Sequence, residues 1–65
     1  MDYAKKILYQ SNHWYNDGLR KAQIKDMSGA IVSLRRSLQY NRENIAARNL
    51  LGLVYYGRGE AAEGL

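Results

Sequence analysis

Apolar and small residues recur at intervals of three and four from Tyr3 to Ala22: Ala4, Ile7, Leu8, Ser11, Tyr15, Gly18, Leu19 and Ala22. A spacing near 3.6 lines one face of a helix, so this segment reads as one long helix. Lys5, Lys6, Asn16 and Arg20 turn to its other sides. Asp2 is placed to cap the start, and nothing breaks the pattern before Lys25 and Asp26. Asp26 opens a second helix as its N-cap, the carboxylate accepting from N–H groups of the first turn. Met27, Ala30, Ile31, Leu34 and Leu38 form its apolar stripe, with Ser33, Arg35, Arg36 and Gln39 outside. The stripe stops near Tyr40, and Asn41-Arg42-Glu43-Asn44 is a polar interruption with two turn-prone asparagines.

The third segment, 45–56, is apolar on nearly every side from Leu50 onward. Such a short apolar run is also compatible with a buried strand, but Ala46-Ala47-Arg48-Asn49 lengthens it beyond strand size and favours a helix. A helix apolar on most sides packs between two neighbours. Gly57 and Gly59 are expected to end it, and residues 60–65 to begin the first turn of a fourth helix.

Length and composition bound these elements. Sixty-five residues make one small domain, which buries only about 60% of its unfolded surface and has a thin stability margin. There is no cysteine to staple it and no proline to break its helices. Hydrophobic content of 46% and charged content of 25% are ordinary for a globular chain. The longest apolar run, 50–56, is far below the ~20 residues of a membrane span, and the N-terminus lacks the apolar core of a secretory signal. These features predict a cytoplasmic protein.

Ten Lys and Arg against six Asp and Glu give a net charge of +4. The cations are spread in singles and pairs from Lys5 to Arg58, a pattern of solvated helix faces rather than a nucleic-acid track. Gly57-Arg58-Gly59-Glu60-Ala61-Ala62 fits G-x-G-x-x-A, but no parallel sheet surrounds it, and a glycine stop before a helix start explains it better. His13 and Asp17, one turn apart, read as a surface pair, because a metal site needs further ligands. No serine stands in a G-x-S-x-G elbow. No catalytic residue, metal site or cofactor is expected, and the chain is not read as an enzyme.

Residues 34 apart occupy matching environments, Gly18 with Gly52 and Leu19 with Leu53. A glycine inside a helix costs about 1 kcal/mol against alanine, so two at the same phase suggest close passage of a partner backbone, with Ala30 meeting Gly18. The first copy reads Trp14-x2-Asp17-Gly18, then Asp26, Ala30-x3-Leu34, Ser37-Leu38 and Asn41; the second reads Leu51-Gly52-x2-Tyr55, then Gly59-Glu60. In these residues the chain resembles the tetratricopeptide repeat family over residues 11–65. Asp17 and Lys21 stand where that family carries leucine and tyrosine, and Arg42 where it carries proline.

The resemblance implies an all-α fold: antiparallel helix hairpins of a right-handed α-solenoid, three helices plus a short C-terminal turn. Residues 1–65 would be a single domain, with 1–10 a helix extension, 11–44 a first repeat and 45–65 a partial second. It also implies a protein–protein interaction module that holds a peptide or protein segment in an apolar concave groove. That groove would be lined by Asn12, Tyr15, Leu19 and Gln23 from the first helix and Asn49, Leu53 and Tyr56 from the third, with Ala22, Ala46 and Gly57 beside them. Tyr15 and Leu19 occupy the slots where the chaperone-binding branch grips a carboxylate with lysine and asparagine, so that clamp is absent. Because solenoid units cover their faces by stacking, the chain is expected to be the N-terminal part of a longer protein, or to self-associate. The alternative reading is a basic helical nucleic-acid-binding domain.

Overall fold

A computed structural model describes residues 3–63, with side chains over 3–57, and every element among them is helical. Helix α1 spans Tyr3–Gln23, α2 Met27–Tyr40 and α3 Ile45–Glu63. The expected cap at Asp2 and the end of the chain at Gly64 and Leu65 lie outside the described residues. Helix α2 packs between the other two, while α1 and α3 barely touch.

The first turn is a tight one. Lys25 adopts a left-handed φ of 68°, its N–H bonds the Ala22 carbonyl at 3.1 Å, and the Asp26 N–H reaches back to Lys21 at 2.8 Å. This is a Schellman stop built on lysine instead of glycine. Asp26 at once starts α2, its carboxylate accepting from the Gly29 N–H at 3.0 Å, as the sequence predicts. One residue closes α1 and opens α2, which holds the two helices antiparallel.

Partners across the hairpin run in opposite order: Ser11 meets Ser37, Asp17 meets Ser33, and Gly18 meets Leu34 and Ala30. The core is small: Ala30, Ile31 and Leu34 from α2, and Ala47 and Val54 from α3, with Tyr15, Met27, Leu38, Leu50 and Leu51 partly buried around it. Leu34 is the bulkiest fully buried side chain. The expected stripe on α2 therefore faces the core. Ser33, expected outside, is fully buried too. Its hydroxyl is satisfied by polar partners on α1, which periodicity of apolar residues cannot reveal.

Helix α3 begins on Asn44, whose side-chain carbonyl accepts the Ala47 N–H at 3.1 Å. The same amide donates to Ser11 Oγ at 2.9 Å, which sets the start of α3 level with the middle of α1. The first eight residues of α1, about 12 Å of helix, thus extend past that level, and Ile7 and Leu8 remain exposed. The molecule measures 51 × 19 × 13 Å, although its longest helix is only about 31 Å.

The third helix does not stop at Gly57 or Gly59, and there is no separate C-terminal turn: α3 continues unbroken through residue 63. A glycine ends a helix by adopting positive φ, and no glycine among the described residues does so. Two glycines cost about 2 kcal/mol of helix propensity in all. The surrounding Arg58, Glu60, Ala61, Ala62 and Glu63 are good helix formers that offset part of it. The glycine-rich motif accordingly lies inside a helix, not in a phosphate-binding turn.

Candidate functional site

The hairpin seam is polar at two levels. At the lower one, Ser11 Oγ donates to the Ser37 carbonyl at 3.0 Å and Ser37 Oγ donates to the Ser11 carbonyl at 2.7 Å. The Asn44 amide donates to both hydroxyls of this pair, reaching Ser11 Oγ at 2.9 Å and Ser37 Oγ at 3.3 Å. Small hydroxyl side chains let the two backbones come close, and each bonds the opposite main chain. Both serines are fully buried, and no buried side-chain polar atom among the described residues lacks a partner.

At the upper level Ser33 Oγ donates to Asp17 Oδ2 at 2.5 Å, and Lys21 Nζ lies 2.8 Å from the same oxygen and 3.2 Å from Ser33 Oγ. The hydrogen bond from Lys21 first, and that from Ser33 second, hold the Asp17 carboxyl below its ordinary value of 3.8. Asp17 and Lys21 thereby add an ion pair to the polar seam. The expected pairing of His13 with Asp17 does not form. Asp17 is occupied by Lys21 and Ser33, and His13 sets its ring edge-on to Trp14 at 5.5 Å. Arg36 covers the Trp14 ring at 5.0 Å. Among the described residues no three potential metal ligands come together.

The residues expected to line a groove divide between two helices that scarcely meet. On α1, Asn12 and Gln23 are exposed, Leu19 is half-buried, and Tyr15 is half-buried against the core. On α3, Asn49, Leu53 and Tyr56 share a face and are exposed, Leu53 and Tyr56 each at 66%. Leu53 and Tyr56 are thus large side chains mostly exposed to solvent.

Concave surface occurs elsewhere. A cleft of about 440 Å³ between α2 and α3 is lined by Arg35, Leu38, Gln39, Arg42 and Leu51. Another of about 210 Å³ lies between the start of α1 and the end of α2, against Tyr3, Lys6, Ile7, Gln10 and Tyr40. None of the seven expected groove residues lines either one.

Sequence reasoning missed the serine seam and the basic cleft. The available signal for the seam was Ser33 and Ser37, one turn apart and flanking Leu34, together with Asn44 immediately before the third apolar segment. For the cleft it was Arg35, Leu38, Gln39 and Arg42, spaced at three, four and seven. No helix among the described residues is long and apolar enough to cross a membrane. Compared with known proteins, the chain matches no family model, no curated protein and no solved structure.

Proposed function

We propose that this chain is a cytoplasmic, non-enzymatic protein-interaction module of the tetratricopeptide type, holding an apolar peptide or protein segment along the face shared by Leu53 and Tyr56. The observation that carries this reading is the exposure of those two side chains on one side of α3, edged by the amide of Asn49. Exposed apolar surface rimmed by polar groups is where a partner gains most from desolvation. Asn12, Tyr15, Leu19 and Gln23 of α1 form the second wall in this reading. The close approach at Gly18, with Leu34 seated over it, supports a hairpin of the repeat type.

The test is a capture experiment from nuclease-treated lysate at low and high salt, with the native chain beside Leu53→Asp/Tyr56→Ser. Both side chains are exposed, so the variant should keep its helical circular dichroism. A protein retained at high salt by the native chain and lost by the variant is the expected result. The basic nucleic-acid-binding alternative gives a different one: nucleic acid in the untreated sample, shed by salt and indifferent to the substitutions.

A further inference from the structure

Residues 27–57 carry four arginines, Arg35, Arg36, Arg42 and Arg48, against one acidic residue, Glu43. Arg36 lies over Trp14, but Arg35 and Arg42 have no acidic partner among the described residues. Both sit on the rim of the α2/α3 cleft, seven residues apart, or roughly two helical turns. The half-buried Leu38 and Leu51 line the cleft between them, and Gln39 adds an amide. Two cations with no ion-pair partner among the described residues flank a leucine floor and form a binding pattern, with charge at the edges and apolar surface in the middle.

A trough between two packed helices accepts a third helix lying along it. The molecule shows how close such an approach can be: at Gly18, Leu34 Cγ lies 2.7 Å from where a Cβ would be. Nucleic acid fits less well. It carries a charge at every nucleotide and favours a continuous basic track with aromatic platforms, and no aromatic side chain lines this cleft.

We propose that the α2/α3 cleft docks an acidic amphipathic helix of a partner protein. Two carboxylates seven residues apart bind Arg35 and Arg42, and the apolar residues between them rest on Leu38 and Leu51. This surface is distinct from the Leu53 and Tyr56 face, since Leu51 and Leu53 point about 160° apart around α3. The inference goes beyond the preceding reading and does not require it.

The experiment is fluorescence anisotropy on the full chain with a labelled helical peptide carrying Glu at i and i+7 and Leu at i+3 and i+4. Beside it run a lysine-for-glutamate version, a scrambled peptide of the same composition, and a single-stranded oligonucleotide of similar length. The native chain should prefer the acidic helix. In Arg35→Glu/Arg42→Glu its affinity should fall about tenfold or more, and the lysine peptide should then bind the variant instead. Both arginines are exposed, and Arg35→Gln/Arg42→Gln gives a milder loss if reversal disturbs the helices. Leu53→Asp/Tyr56→Ser should leave this binding unchanged even where it abolishes capture on the other face. Equal affinity for the scrambled peptide, displacement by the oligonucleotide, or indifference to the arginine substitutions would overturn the proposal.

Discussion

Gly18 and Gly52 stand at the same phase of two helices, 34 residues apart, and the surroundings of the two could hardly differ more. A Cβ at Gly18 would lie 2.7 Å from Leu34 Cγ and 3.3 Å from the Ala30 carbonyl, whereas one at Gly52 would meet nothing. Around Gly18, α1 and α2 are joined by reciprocal serine bonds and a paired carboxylate; around Gly52, α3 presents open surface. The residue is the same and the consequence is not. A mid-helix glycine marks a permitted close approach, and only the facing helix turns that permission into stability. Among the described residues α2 supplies the facing helix for α1, and none packs over Gly52 of α3.

Removing the side chain that fills the first contact gives the largest expected effect. Leu34→Ala should cost about 2–5 kcal/mol, since Leu34 is fully buried in a well-packed seam. In so small a domain that approaches the whole stability, so urea melts are best begun near the temperature of maximum stability. Gly18→Ala should destabilise by about 1–2 kcal/mol, overpacking outweighing the gain in helix propensity. In a Leu34→Ala background the same alanine should become nearly neutral. A double-mutant cycle in which the cost of the alanine persists would break the claim that Leu34 defines the contact.

The polar lock at the base of the hairpin comes next. Asn44 links all three helices, capping α3 while it donates to Ser11 of α1 and Ser37 of α2. Asn44→Ala should cost about 1–3 kcal/mol through the lost cap and the weakened serine network. Asn44→Asp keeps the cap acceptor and loses the donor, so it separates the two contributions. If both variants melt alike, the donor bonds carry the effect.

Gly52→Ala should act in the opposite direction from Gly18→Ala, stabilising by about 0.5–1 kcal/mol, because the new methyl meets no atom and the helix loses a glycine. A destabilising result would show that something already occupies that side of α3 in solution.

Much of the first hairpin was legible in the residues. The α2 stripe, the Asp26 cap and the close approach at Gly18 all follow from spacing and residue type, and each depends on local sequence or on one short-range partner. The end of α3 was not legible, because Gly57 and Gly59 are compatible with both a stop and a continuing helix, and neighbours beyond them decide. The serine seam was hidden for a different reason. A hydroxyl such as that of Ser33 looks alike in sequence whether it faces water or bonds a carboxylate across an interface. His13 likewise lost its expected partner to Lys21, a competition between two residues each one turn from Asp17. On the candidate surfaces, the sequence placed Asn49, Leu53 and Tyr56 together on α3, but could not show how little α1 and α3 would touch.

The smallest expected effect distinguishes the two halves by acid. The folded state holds Asp17 below its ordinary value through Lys21 and Ser33, so the unfolded chain binds the proton more readily. Its stabilising contribution is therefore complete above the unfolded value of 3.8 and is lost as pH falls through the lower, folded one. Asp17→Asn keeps a side-chain acceptor for Ser33 while removing the charge, so it should be less stable near neutrality yet lose less on acidification. The two stability curves should converge below pH 3.8, measured by urea melts at constant ionic strength. Curves that stay parallel would mean that Asp17 acts only as a hydrogen-bond acceptor, and the upper level of the seam would then owe nothing to its charge.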